Sequence, residues 1–289
     1  LMENKNLFLN LILTFILTFI GVIGVLVLVS LIKKIRLKKD THIPKVLIQT
    51  YHSIEKIPQK VFKNIQKFNG GYTHIVFDDN MSRNFIEKEY GRKYREKFDS
   101  FKLGAHKADF FRYCYLYKKG GIYLDIKTSL QRKLDDIIFD EETCYTVLSK
   151  NKEQIYQGFI ACSPGNVTIK RQLDFMMLSD TKPVSYQHYT KFFYKTLVLQ
   201  KDEENGKNKK NKANEDKKGK LEPGLNQLKD GEKWYLFFEI CHDDASECKD
   251  GLDRYGYCSF IYDNDDKNDK NDKNDLIRLM KTRYSDYPW

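Results

Sequence analysis

The stretch Ala105-His-Lys-Ala-Asp109-Phe-Phe-Arg112-Tyr-Cys-Tyr-Leu-Tyr-Lys-Lys-Gly120-Gly121-Ile-Tyr123-Leu-Asp125-Ile-Lys127-Thr128 decides the fold. Its first part predicts a helix over 105–118, with Asp109 and Arg112 three apart and so on one face. Phe110, Phe111, Cys114 and Leu116 pack the other faces. A glycine pair then lets the chain turn sharply. Ile122–Ile126 follows as a strand whose carboxyl end presents Asp125. Ligands of open α/β sheets bind beyond the carboxyl ends of the strands, so this end is the first place to look for chemistry. A surface Asp–Arg pair would be worth under about 1 kcal/mol and would carry no function. The glycine break and the strand-end acid favour a site.

Upstream, Ile43-Pro44 leads into Lys45-Val-Leu-Ile-Gln49-Thr50-Tyr51, a β-branched run read as a buried strand. Pro58–Phe68 reads as a helix with Val61, Phe62, Ile65 and Phe68 at helical spacing. Tyr72–Phe77 reads as a second strand, and Ser82 is the expected cap of the helix after it. Strands alternating with helices predict an α/β domain with a mostly parallel central sheet. Downstream, Tyr145–Leu148, Phe159–Cys162, Trp234–Ile240 and Tyr257–Tyr262 read as strands and Val167–Leu178 as a helix. The acid pairs Asp78-Asp79 and Asp243-Asp244 read as loop acids. His106 and His242 read as structural.

The chain has 289 residues and a formal charge of +10, which invites a nucleic-acid reading. Location of the charge removes it. Five basic residues, Lys33, Lys34, Arg36, Lys38 and Lys39, sit beside an apolar run. The polar tract 201–220 has eight Lys against five acids, and the tract 263–275 three Lys against six Asp. Together the three segments hold half the excess, and the rest shows no basic patch with interleaved aromatics. No nucleic-acid partner is expected. Neither tract has the apolar residues to offset the entropy of ordering, so both read as solvated insertions.

Leu7–Ile32 contains no charged residue. At about 1.5 Å per residue it exceeds a bilayer core of about 30 Å, and it is too long for a signal peptide's apolar region. The expected organisation is a tail over 1–6, a transmembrane anchor over 7–32, a basic linker over 33–42 and one domain over 43–289. The basic flank puts the body on the cytoplasmic side. The sequons Asn80-Met-Ser82 and Asn166-Val-Thr168, if used, put it in a lumen. Cys114, Cys144, Cys162, Cys241, Cys248 and Cys258 permit disulfides, and no CxxC pair suggests zinc.

Ala108-Asp109-Phe-Phe-Arg112-Tyr113 followed by Gly120-Gly-Ile-Tyr123-Leu-Asp125 resembles the family 32 glycosyltransferases, whose pattern is an Asp-x-x-Arg-Tyr helix, Gly-Gly-Ile-Tyr and a strand-end Asp-x-Asp. Ile43–Tyr51 and Tyr156-Gln157-Gly158-Phe159 with Ser163-Pro-Gly-Asn166 are similar to further family segments. The resemblance covers Ile43 to Leu178. It implies a GT-A-like nucleotide-diphospho-sugar transferase fold. The implied activity moves a hexose, with retention, from a GDP- or UDP-sugar to a glycan, lipid or protein acceptor, in a single-pass protein of the Golgi or endomembranes. It implies that Asp109 and Arg112 hold the donor sugar, that Gln49, Thr50, Tyr51, Tyr123 and Lys127 line the donor pocket, and that Asp125 is the first acid of a site for Mn²⁺ or Mg²⁺.

The pattern's second acid is Lys127 here. Three readings follow. Asp125 and another carboxylate such as Asp286 hold the metal; or the Lys127 ammonium offsets the diphosphate charge; or catalysis is lost and the chain is a membrane-tethered nucleotide-sugar or glycan-binding protein. The closing segment Arg283–Trp289 reads equally as a flap over the diphosphate and as a packed aromatic tail.

Overall fold

The computed structural model describes residues 17–25, 41–149, 153–179, 185, 187–201, 220–242, 258–263 and 277–283. Residues 1–40 and 41–289 form separate units. In the first, residues 17–25 are helical (α1), with Leu17, Phe19, Ile20 and Val22 exposed. The rest of the expected 7–32 anchor lies outside the described residues, among which no helix is long and apolar enough to cross a membrane.

In the second unit the order is β1 (Val46–Thr50), α2 (Gln59–Phe68), β2 (Thr73–Phe77), α3 (Asp79–Tyr90), α4 (Arg92–Ser100), α5 (Gly104–Lys119), β3 (Gly121–Leu124), β4 (Thr128–Leu130), α6 (Leu134–Ile137), β5 (Cys144–Leu148), β6 (Ile155–Cys162), α7 (Val167–Leu178), α8 (His188–Gln200), β7 (Gly224–Gln227), β8 (Lys233–His242), β9 (Cys258–Asp263) and β10 (Ile277–Arg283). The strands form one sheet in the order β2-β1-β3-β6-β5-β8-β9-β10-β4, with β7 paired to β8.

The sheet is mixed, which corrects the mostly parallel expectation. β1 runs parallel to β2 and β3, and β5 to β8. The other pairings are antiparallel. The cause is connection length. Helices separate β1, β2 and β3, as a parallel crossover needs. Only six residues separate β5 from β6, too few for a parallel crossover.

Side-chain alternation puts β1 and β3 between two apolar layers. Leu47, Ile122 and Leu124 pack on one face with Ile65 of α2. Ile48 and Tyr123 pack on the other with Phe110, Phe111 and Cys114 of α5. Gly120 and Gly121 both have positive φ, and a Cβ on either would lie 2.7 Å from Pro164 or the Val46 carbonyl. The glycine pair is therefore required by both backbone angle and space.

Two local readings change. Helix α3 is capped by Asp78, whose Oδ1 accepts from the Met81 N–H at 2.7 Å, while Ser82 lies buried inside the helix. An aspartate one turn earlier captures the free N–H groups before a serine can. Asn166 of the second sequon is a buried cap of α7: Oδ1 accepts from the Ile169 N–H at 2.8 Å and Nδ2 lies 3.2 Å from the Cys144 sulfur. Cys114, Cys144 and Cys162 are buried.

Candidate functional site

Strands β2 and β3 leave β1 on opposite sides, so the carboxyl ends of β1 and β3 lie side by side where the strand order reverses. Such a switch point opens a crevice. Here it opens a cavity of about 750 Å³. Thr50 and Tyr51 enter it from β1, Tyr123, Asp125 and Lys127 from β3 and beyond, and Asp109 and Arg112 from α5.

Arg112 is the hub. Its Nη2 lies 3.1 Å from Asp109 Oδ1 and 3.3 Å from Asp125 Oδ1. Nη1 donates to the Gln157 carbonyl and Nε donates to the Ala108 carbonyl at 3.3 Å. The guanidinium carbon lies 4.1 Å from the centre of the Tyr123 ring. With 4% of the side chain exposed, all three nitrogens engage the protein. Burial works against the Arg112 charge, but Tyr123, Asp109 and Asp125 more than offset it and hold the pKa above its ordinary value. Arg112 thereby ties Asp109, Asp125 and the Ala108 and Gln157 carbonyls together, a positioning geometry. A planar fork fits this task and an ammonium would not.

Asp109 is 14% exposed at its side chain. Burial pushes its carboxyl up to about 6, against the pull of Arg112, and Asp125 adds to the rise. The ion pair at 3.1 Å fails to lower the pKa because the cost of burying the charge exceeds the attraction of Arg112.

Asp125 is 36% exposed. Its Oδ1 accepts from Tyr123 Oη at 2.9 Å, and Tyr123 Oη lies 3.2 Å from Thr50 Oγ1. Its N–H donates to the Gly158 carbonyl at 2.7 Å, and its own carbonyl accepts from the Thr128 N–H at 2.9 Å. Oδ2 has no hydrogen bond among the described residues, leaving it for a ligand.

Gln49 does not line the cavity. It is fully buried below it, where Nε2 donates to the Asp125 carbonyl at 3.4 Å and Oε1 lies 2.9 Å from His74 Nε2. Burial holds the His74 pKa below its ordinary value. Gln49 therefore supports the strand end that carries Asp125. His106 is buried between the Phe101 and Tyr189 rings.

Asp125 is the one carboxylate of the expected metal pair that is described, since Asp286 lies outside the described residues. Its Oδ1 is already held, position 127 is an ammonium, and no group of three metal-ligating side chains converges among the described residues. The described donor set alone does not fit a divalent ion.

The cavity also takes residues the sequence reading did not single out. Lys102 and Lys107 stand on the α5 side, with Lys107 3.1 Å from Asp79. Gln154, Gln157 and Thr190 line the β6 and α8 side. Tyr156 links Thr128 at 2.8 Å to Thr282 of β10 at 2.9 Å. The Tyr156-Gln157-Gly158 segment was visible as a similarity, but a glutamine in an apolar run reads as strand.

A family match includes the segment that carries Asp109, Arg112 and Asp125. Residues 56–145 match the family described as glycosyltransferase sugar-binding region containing DXD motif. An uncharacterized glycosyltransferase of Acanthamoeba polyphaga mimivirus is 36% identical over 96 residues, 33% of this chain and 38% of that one. A mannosyl phosphorylinositol ceramide synthase of Saccharomyces cerevisiae is 36% identical over 99 residues, 33% of this chain and 26% of that one. Inositol phosphoceramide mannosyltransferase 3 of Schizosaccharomyces pombe is 34% identical over 99 residues, 33% of this chain and 27% of that one. The chain thus spans well under half the length of these curated relatives. A solved PaToxG glycosyltransferase aligns with a TM-score of 0.41 and 13% identity, over 55% of this chain and 70% of that one. Residues 56–145 of this chain are thus similar to the sugar-binding region of the DXD-motif glycosyltransferases.

Proposed function

We propose that the chain is a glycosyltransferase that moves a hexose from a nucleotide sugar to a hydroxyl of a glycan or lipid acceptor. The observation that carries this is Asp125, held by Arg112 and Tyr123 at the β1–β3 switch point and facing a cavity of about 750 Å³. The names of the relatives make mannose from GDP-mannose the first donor to try. The mixed sheet with helices on both faces is compatible with a GT-A-like domain. Residues 7–32 supply the membrane anchor in this reading, and an endomembrane is its setting.

In the reaction the bond from the anomeric carbon to the diphosphate breaks and its electron pair leaves with the phosphate oxygen. A bond forms from the same carbon to the acceptor oxygen, whose proton passes to the departing diphosphate. Retention of configuration is part of the proposal. Asp109 and Asp125 accept hydrogen bonds from sugar hydroxyls. Thr50 and Tyr51 flank the nucleotide at the β1 end. Charge grows on the departing diphosphate, and opposing it is the main catalytic task. Lys127, at the cavity wall, takes that task in this reading.

The test is a donor screen on the full chain in detergent, with Asp125→Ala as control. Turnover of GDP-mannose or another nucleotide sugar, lost in the variant, is expected. Binding without turnover would instead favour the tethered binding protein, a reading motivated by Lys127 in place of the second acid.

A further inference from the structure

Gln157 is 3% exposed, lines the cavity, and has neither Nε2 nor Oε1 in a hydrogen bond among the described residues. Buried amides are nearly always paired, and an unpaired one costs stability. The other buried glutamines at this end of the sheet follow that rule. Gln49 is held by the Asp125 carbonyl and His74, and Gln154 by Gln187 and Thr190. An apolar side chain at 157 would remove the penalty.

The backbone is shaped to put this amide where it is. Between Tyr145 and Val147 on β5, the paired residues on β6 run from Ala161 back to Tyr156, so β6 bulges across 157–160. Such a bulge re-aims side chains beside a site. The bulge carbonyls are tied to the centre: that of Gln157 accepts from Arg112, and that of Gly158 from the Asp125 N–H. Gly158 has no side chain because the Tyr156 ring fills the space a Cβ would need.

We propose that the Gln157 amide reads the donor sugar, its oxygen accepting from one hydroxyl and its nitrogen donating to the neighbouring oxygen of a hexose held beside Asp109 and Asp125. An amide offers donor and acceptor side by side, which matches a vicinal diol. The two carboxylates beside it disfavour a phosphate at that spot. Strand β3 lies between β6 and β1, so Gln157 is on the opposite side of Asp125 from Thr50 and Tyr51, the nucleotide end. The inference rests on the glycosyltransferase reading and adds a specificity-determining residue to it.

The experiment is calorimetric binding to the full chain in detergent. The probes are GDP-mannose and UDP-glucose, with GDP and UDP as their sugar-free controls. Gln157→Leu and the unbranched Gln157→Met are compared with wild type. We expect both variants to bind the free nucleotide within about twofold of wild type and the nucleotide sugar at least about tenfold more weakly, the loss of a hydrogen-bonded pair. Their melting temperatures stay level or rise, since no protein hydrogen bond is removed; a merely structural glutamine would lower them. Equal loss on nucleotide and nucleotide sugar, or no loss on either, overturns the role of Gln157 alone. A wild-type chain that binds neither nucleotide sugar overturns this role together with the glycosyltransferase reading.

Discussion

Arg112 sits over the ring of Tyr123, 4.1 Å from its centre, and both side chains converge on the same oxygen of Asp125. The tyrosine hydroxyl and the guanidinium thus fix one carboxylate from two directions. Tyr123→Phe keeps the ring beneath the cation and removes only the hydroxyl. It should cost about 1 kcal/mol in urea unfolding and lower kcat by roughly tenfold as Asp125 gains freedom. Arg112→Lys is the severe change. It leaves Asp109 and Asp125 without their shared fork, with a destabilisation of about 3–5 kcal/mol expected. An Arg112→Lys chain as stable and active as wild type would contradict the hub.

Asp109 makes stability depend on pH. Its folded pKa is raised from 3.8 to about 6. Below that window both folded and unfolded chains carry the proton. Within it the folded chain binds more protons than the unfolded, so stability falls as pH rises. The fall should be on the order of 2–3 kcal/mol, complete a little above pH 6. Asp109→Asn should flatten this part of the curve. Urea midpoints from about pH 3.5 to about pH 7 check it, and parallel curves for the two proteins would refute it.

Lys127→Asp recreates a pair of acids at 125 and 127. Oxygen ligands are what Mn²⁺ and Mg²⁺ require. Wild type, with Lys127 opposing the diphosphate charge, should keep its turnover after EDTA treatment, while the variant should lose it and regain it on graded addition of Mn²⁺. A variant whose turnover ignores both EDTA and Mn²⁺ would show that position 127 does not face a bound ion.

Gly158→Ala places a methyl group where the Tyr156 ring lies. Overpacking of this kind costs about 1–3 kcal/mol. Displacing the ring also separates Tyr156 from Thr128 and Thr282. The expected result is a lowered melting temperature and weaker donor binding together. A Tyr156→Phe, Gly158→Ala double variant separates the crowding from the hydroxyl contacts.

Much of the centre is legible in local sequence. The α5 helix, the glycine pair and the β3 strand with Asp125 at its end are dictated by spacing within two dozen residues. The direction of later strands is not, because β5, β8, β9 and β10 pair across long separations that no local pattern encodes. Gln49 was misplaced for a related reason: period-two alternation says a side chain faces inward, but only the neighbouring His74 shows that inward means below the cavity. Ser82 lost to Asp78 as a cap because a stronger acceptor stood one turn earlier. Gln157 was hidden in an apolar run, and its polarity gains meaning only from the bulge that turns it toward Asp125.

The reversal of strand direction between β3 and β6 divides the sheet along a seam, and Asp125 lies on it. The match to the sugar-binding-region family ends at residue 145, inside β5. What lies before the seam supplies the β1 end, the α5 carboxylate and the arginine fork; what lies after supplies Gln157, the α8 wall and Thr282. Arg112 and the Asp125 N–H reach across the seam to the Gln157 and Gly158 carbonyls, so a change in either half is felt at the same carboxylate.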